Sequence, residues 1–134
     1  MPTPAQLQQL KTAAKKAAKL AYAPYSQFRV GAAVLTEKGK IFAGCNVENA
    51  SYGLCNCAER TAIFSAVASG QRRLQCIVVY TPTPTVTAPC GACRQVIYEF
   101  GPTCRIVSFC VGTGVIDTTI TALLPSAFGP NDLV

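Results

Sequence analysis

Histidine is missing altogether from this chain of 134 residues. A metal site here would have to take its donors from cysteine or a carboxylate. Charge is scarce as well. Lysine, arginine, aspartate and glutamate make up 13% of the chain, about half the usual share, while apolar residues reach 50%. A small domain has much surface for its volume, so few charges leave apolar surface uncovered, and some of it is expected to meet another copy of the chain. No apolar run approaches the ~20 residues a spanning helix needs, which excludes a membrane-spanning segment. Internal repeats, low-complexity tracts and linkers are absent, and the length fits one catalytic domain over 1–134.

The opening Met1-Pro2 leads directly into a helix signal, with no signal-peptide h-region. The eight cysteines are therefore expected as reduced thiols in the cytoplasm, not as a secreted disulfide framework. Cys45, Cys76, Cys104 and Cys110 lie in strand-like apolar runs, where free cysteine behaves as a small hydrophobe. The formal net charge is +6. Lys11, Lys15 and Lys19 recur every fourth residue and share one helix face. A solvated face explains this stripe better than nucleic-acid binding, because no interleaved arginine and aromatic residues accompany it.

The local patterns give the order α-β-β-α-β-α-β-β. Thr3-Pro4-Ala5-Gln6 combines an N-cap, a proline at the first helical position and a capping-box glutamine. The helix is expected to reach about Ala21, burying Leu7, Leu10, Ala14, Ala17 and Ala21. Residues 28–35 and 41–47 read as strands of a hairpin. Residues 57–69 read as a helix closed by Gly70, and 74–80 as a strand buried on both faces. A four-proline loop over 81–89 precedes a helix over 90–100, ended by Gly101 and Pro102. Strands at 105–111 and 115–120 complete a single mixed sheet of about five strands covered by helices, an α/β fold. The tail around Leu123, Leu124 and Phe128 is too apolar for a free end.

Two distant stretches carry chemistry: Asn56-Cys57-Ala58-Glu59-Arg60 and Pro89-Cys90-Gly91-Ala92-Cys93-Arg94. Cys90 and Cys93 stand one helical turn apart, so both sulfurs can reach one ion. Cys57 supplies a third. Three thiolates hold zinc and leave its fourth position open, the arrangement of a catalytic site; a fourth ligand would close it. Cys55 is a rival to Cys57, but only Cys57 has a carboxylate two residues on, Glu59, able to move protons. A redox reading of Cys90-x-x-Cys93 is disfavoured because that pair would follow the first strand of its fold. Three thiolates give the zinc site a net negative charge, which weakens its acidifying power. Two helix N-termini and Arg60, with Arg94 as a further candidate, are placed to offset it.

This combination resembles the zinc-dependent cytidine deaminase family, whose cysteine-type signature is Cys-x-Glu followed by Pro-Cys-x-x-Cys. The likeness extends from Tyr22-Ala23-Pro24-Tyr25-Ser26 and Phe28-Arg29-Val30-Gly31-Ala32-Ala33 through Gly44-Cys45-Asn46-Val47-Glu48-Asn49 to Leu123-Leu124-Pro125-Ser126-Ala127-Phe128. It implies a three-layer α-β-α fold and one zinc per chain on Cys57, Cys90 and Cys93. It further implies hydrolysis of cytidine and 2′-deoxycytidine to uridine and 2′-deoxyuridine with release of ammonia, in pyrimidine salvage, with Glu59 as proton shuttle. On the same ground Asn46 and Glu48 bind the ribose, chiefly its 3′-hydroxyl. Phe28 faces the pyrimidine, and backbone around Ala58 holds the base. Phe128 enters a neighbouring subunit's site in a homotetramer. The alternatives are blasticidin-type or polynucleotide deamination, which the Asn46/Glu48 pair disfavours, and a zinc-stabilised nucleic-acid module.

Overall fold

The structure, a computed structural model, describes residues 1–133. Helix α1 (Pro4–Ala18) opens on a reciprocal cap: the Gln6 N–H donates to Thr3 Oγ1 at 3.1 Å, and the Thr3 N–H donates to Gln6 Oε1 at 3.0 Å. It ends earlier than the alanine pattern suggests. The Tyr22 N–H turns away to the Asn46 carbonyl at 3.0 Å, so the chain after Ala18 is drawn to the second strand.

Strands β1 (Gly31–Thr36) and β2 (Ile41–Cys45) form the hairpin. Helix α2 (Ala58–Ala68), strand β3 (Leu74–Thr81), helix α3 (Gly91–Phe100), strands β4 (Arg105–Cys110) and β5 (Val115–Thr119), and a short helix α4 (Ile120–Leu123) follow. The sheet order is β2-β1-β3-β4-β5, with β3 and β4 parallel and every other neighbour antiparallel. Residue 120, which the pattern places in the last strand, instead begins α4, because Thr119 caps it by accepting the Ala122 N–H.

Alternation along the buried strands separates two cores. On one face Leu10, Ala14 and Ala18 of α1 pack on Ala33, Leu35, Cys76, Val78 and Val107. On the other, Ala58, Ala62, Ile63 and Ala66 of α2 and Ile97 of α3 pack on Ala32, Val34, Ile77, Val79 and Ile106. The alanines bring helix and sheet close, and two glycines bring them closer. A Cβ at Gly31 would lie 1.9 Å from the Ala14 carbonyl oxygen, and one at Gly44 would lie 2.4 Å from the Ala62 nitrogen. The lysine stripe is not simply solvated: Lys11 and Lys15 place their ammonium groups 5.8 Å from the ring centres of Phe109 and Tyr80.

Candidate active site

Both cysteine stretches end up at helix starts, and each helix begins one residue later than its pattern predicts. Cys57 is the N-cap of α2 and Cys90 the N-cap of α3, each with extended backbone. Neither sulfur caps its own helix. They approach each other at 3.8 Å instead. Cys93, in the first turn of α3, is fully buried, and the three sulfurs lie within 4.8 Å of one another. A tetrahedral zinc with Zn–S bonds of about 2.3 Å separates its sulfurs by about 3.8 Å, so the trio fits that ion in donor chemistry and spacing. Neither Glu59 nor Cys55 belongs to the cluster. The Cys55 thiol is engaged by Asn49, accepting its N–H at 3.3 Å and donating to its carbonyl at 3.6 Å.

The electrostatics follow from this packing. The Cys57 thiol is brought down to about 5, first by a hydrogen bond from Cys93 and then by Arg60, against the opposing effect of burial. Arg60 Nη2 donates to Cys57 Sγ at 3.2 Å. Cys93 is pushed the other way, because it holds the proton that Cys57 accepts and sits in the interior. Binding a metal ion therefore displaces that proton. Glu59 is 5% exposed, and its burial raises the carboxyl to about 7. A carboxyl poised there can both accept and return a proton near neutral pH.

Glu59, Cys57 and Cys90 share a cavity of about 210 Å³ with Phe28, Val30, Asn46, Glu48, Ala58, Val79 and the Thr87-Ala88 loop. An isolated pair of bridges sews its wall together. Val47 and Asn56 exchange backbone hydrogen bonds at 2.9 Å, joining the Asn46–Glu48 segment to the residue before Cys57. Asn46 Oδ1 accepts the Val30 N–H at 2.8 Å and Nδ2 donates to the Phe28 carbonyl at 2.7 Å. These side-chain contacts hold 28–30 beside a single backbone bond, from the Asn46 N–H to the Val30 carbonyl at 3.2 Å, and β1 begins three residues later than its pattern predicts. Glu48 Oε1 accepts the N–H groups of Tyr25 and Ser26 at 2.9 and 3.1 Å, and Oε2 accepts the Ser26 hydroxyl.

Arg94 does not turn to sulfur. Its Nε donates to the Pro89 carbonyl at 2.8 Å and its Nη1 to the Leu123 carbonyl at 3.0 Å, tying the loop before Cys90 to α4. Phe128 is 59% exposed and does not line the cavity of its own chain. Its carbonyl accepts from Gln95 at 2.8 Å. Sequence reasoning passed over Ser26, Thr87 and Ala88. Adjacency to Pro89-Cys90 was the available signal for the last two.

Comparison with known proteins places these features in a family. Residues 4–110 match the model described as the cytidine and deoxycytidylate deaminase zinc-binding region. The chain is 50% identical over 120 residues to the cytidine deaminase of Sporosarcina psychrophila, covering 89% of this chain and 88% of that one. It is 48% identical over 114 residues to the Halalkalibacterium halodurans enzyme of that name, covering 84% and 86%. The crystal structure of cytidine deaminase from Burkholderia pseudomallei superposes with a TM-score of 0.86 at 56% identity, over 90% of this chain and 98% of that chain. With a cysteine trio suited to zinc at the N-termini of α2 and α3, the chain belongs to the zinc-dependent cytidine and deoxycytidylate deaminase family.

Proposed function

We propose that the chain is a hydrolase that converts cytidine and 2′-deoxycytidine to uridine and 2′-deoxyuridine with release of ammonia. One observation carries the reading: a buried, protonatable Glu59 shares its cavity with two of three sulfurs spaced for a single metal ion. Cys57, Cys90 and Cys93 would hold the zinc, which would supply the Lewis acidity that makes water a nucleophile at neutral pH. Glu59 takes the proton given up as water attacks C4 and passes it to N3. It then takes the second proton from the new C4 hydroxyl and delivers it to the amine, which leaves as ammonia as the C4–N bond breaks and the carbonyl forms. Arg60 withdraws charge from Cys57 by its hydrogen bond, which keeps a three-thiolate site from losing its acidity. Ala58, at the first position of α2, contributes a backbone N–H not used within the helix, available to the base. Phe28 lines the cavity as its aromatic wall.

Hydrogen-bond counting supports a nucleoside over a free base. Asn46 retains one amide N–H beyond its bond to Phe28. Glu48 has about four acceptor sites, and three are taken. One remaining donor beside one remaining acceptor complements a single sugar hydroxyl, which both gives and receives. The exposed aromatics Tyr22, Tyr25, Tyr52, Phe64 and Phe128 support self-association, and we assign the assembly as a homotetramer in the cytoplasm with Phe128 reaching a neighbour's cavity. The test is release of ammonia from cytidine by zinc-replete protein. Stoichiometric ammonia and uridine are expected, with free cytosine a poor substrate. Absence of ammonia from both nucleosides would overturn the reading.

A further inference from the structure

The segment Ala23–Phe28 reaches the cavity through a chain of hydrogen bonds centred on one serine. The Phe28 N–H donates to Ser26 Oγ at 3.0 Å, and the Ser26 hydroxyl donates to Glu48 Oε2. The intervening Gln27 adopts a left-handed φ of 56°, a conformation non-glycine residues take only at a cost, and it folds the serine oxygen back beneath the Phe28 N–H. Oε1 of Glu48 is saturated by two backbone N–H groups, so the orientation of Oε2, the oxygen with an acceptor site to spare, depends on the serine hydroxyl. That same hydroxyl is the largest cause holding the Glu48 carboxyl below its ordinary value and therefore in acceptor form.

We propose that Ser26 is a positioning residue for the sugar: its hydroxyl sets the free acceptor site of Glu48 toward the ribose 3′-hydroxyl. The inference rests on the reading of Asn46 and Glu48 as sugar-binding residues. Its consequence is specific. Removing the hydroxyl lets Oε2 swing about the anchored Oε1, so a hydroxyl at the 3′ position loses its acceptor while the base and the zinc site keep their partners.

The experiment compares steady-state kinetics on cytidine and 3′-deoxycytidine, using zinc-replete protein of verified metal content and melting temperature. Ser26→Ala is expected to lower kcat/KM for cytidine about tenfold, mainly through KM, as for loss of a hydrogen bond to a charged group. The loss on 3′-deoxycytidine is expected to be under about threefold. Ser26→Thr, which keeps the hydroxyl, should restore most of the difference. Ser26→Ala combined with Glu48→Ala should be no worse than Glu48→Ala alone, because both act through one carboxylate. Equal losses on the two substrates, no loss on either, or additive losses in the double variant would overturn the proposal. Should Ser26→Ala not yield folded protein, Ser26→Cys, with its poor donor, gives the same comparison. Glu48→Ala by itself tests the underlying reading: if it affects both substrates equally, the sugar assignment fails whatever Ser26 does.

Discussion

At the scale of single residues, Glu59 is held in an environment that a carboxylate would not choose. It is buried, raised to about 7, and excluded from the metal cluster. Glu59→Gln keeps the size and hydrogen bonding but cannot carry the proton. The variant should retain its zinc while kcat falls at least ~10²-fold. Measured turnover within a few-fold of the parent would remove Glu59 from the reaction. The sulfurs divide in the same way. Cys57→Ser should lose zinc by atomic emission, whereas Cys55→Ser, whose thiol serves Asn49, should keep it. The grouping of Cys57, and not Cys55, with Cys90 and Cys93 follows the spacing in the sequence, since only Cys57 is followed at the right interval by a carboxylate. What Asn46 and Glu48 do for the chain itself was not legible there. Their partners lie 16 to 23 residues away, and no local pattern reports a side chain that bonds to backbone at that distance.

Elements were legible wherever their signals were local. The Thr3 cap, the stop at Gly70 with its φ of 88°, and the apolar run of β3 all stand near where the residues put them. Two misplaced ends, those of α1 and β5, share one cause, a long-range contact or cap overriding propensity. The close approach of α1 to β1 is equally silent in sequence, and it makes a sharp prediction. Gly31→Ala would drive a methyl into the Ala14 carbonyl, so α1 must lift from the sheet. A loss of about 3 kcal/mol or more in denaturant titration is expected, and a neutral result would contradict the packing. At the other edge, Arg105 of β4 holds Asp117 of β5 through two bonds of 2.9 and 2.7 Å. The pair lowers the Asp117 pKa from its ordinary 3.8, so its stabilisation is present above that value and lost as pH falls through the folded-state value. Both side chains are partly exposed, so Asp117→Asn should cost under about 1 kcal/mol at pH 7. The difference should vanish well below pH 4 and shrink in salt, as thermal melts across pH would register.

At the scale of the whole molecule, the exposed tail is the feature to explain. Phe128 rests on α3 through its carbonyl, with the ring left open to solvent and away from its own cavity. On the proposal that Phe128 stacks on a neighbour's substrate, Phe128→Ala should raise KM for cytidine, within the ~1–3 kcal/mol that stacking on a base contributes. For the proposed tetramer, sedimentation of both parent and variant should report a species near four times 14.1 kDa. Reassociating Phe128→Ala subunits with Glu59→Gln subunits should give activity above either parent, because some sites then combine an intact glutamate with an intact neighbouring ring. Verified mixed oligomers without recovery would confine each site to one chain.

The two-sided sheet also bears on how such a protein can change over generations. Alternating residues send Ala33, Leu35 and Val78 to the α1 side, whereas Val79 on the opposite side reaches the cavity. Beneath α1, the close approach at Gly31 apart, substitutions that keep the packing can therefore drift, or be redesigned for heat tolerance, with little retuning of the chemistry. Those beneath α2 and α3 carry a double constraint, and tolerance to mutation should alternate residue by residue along β1 and β3.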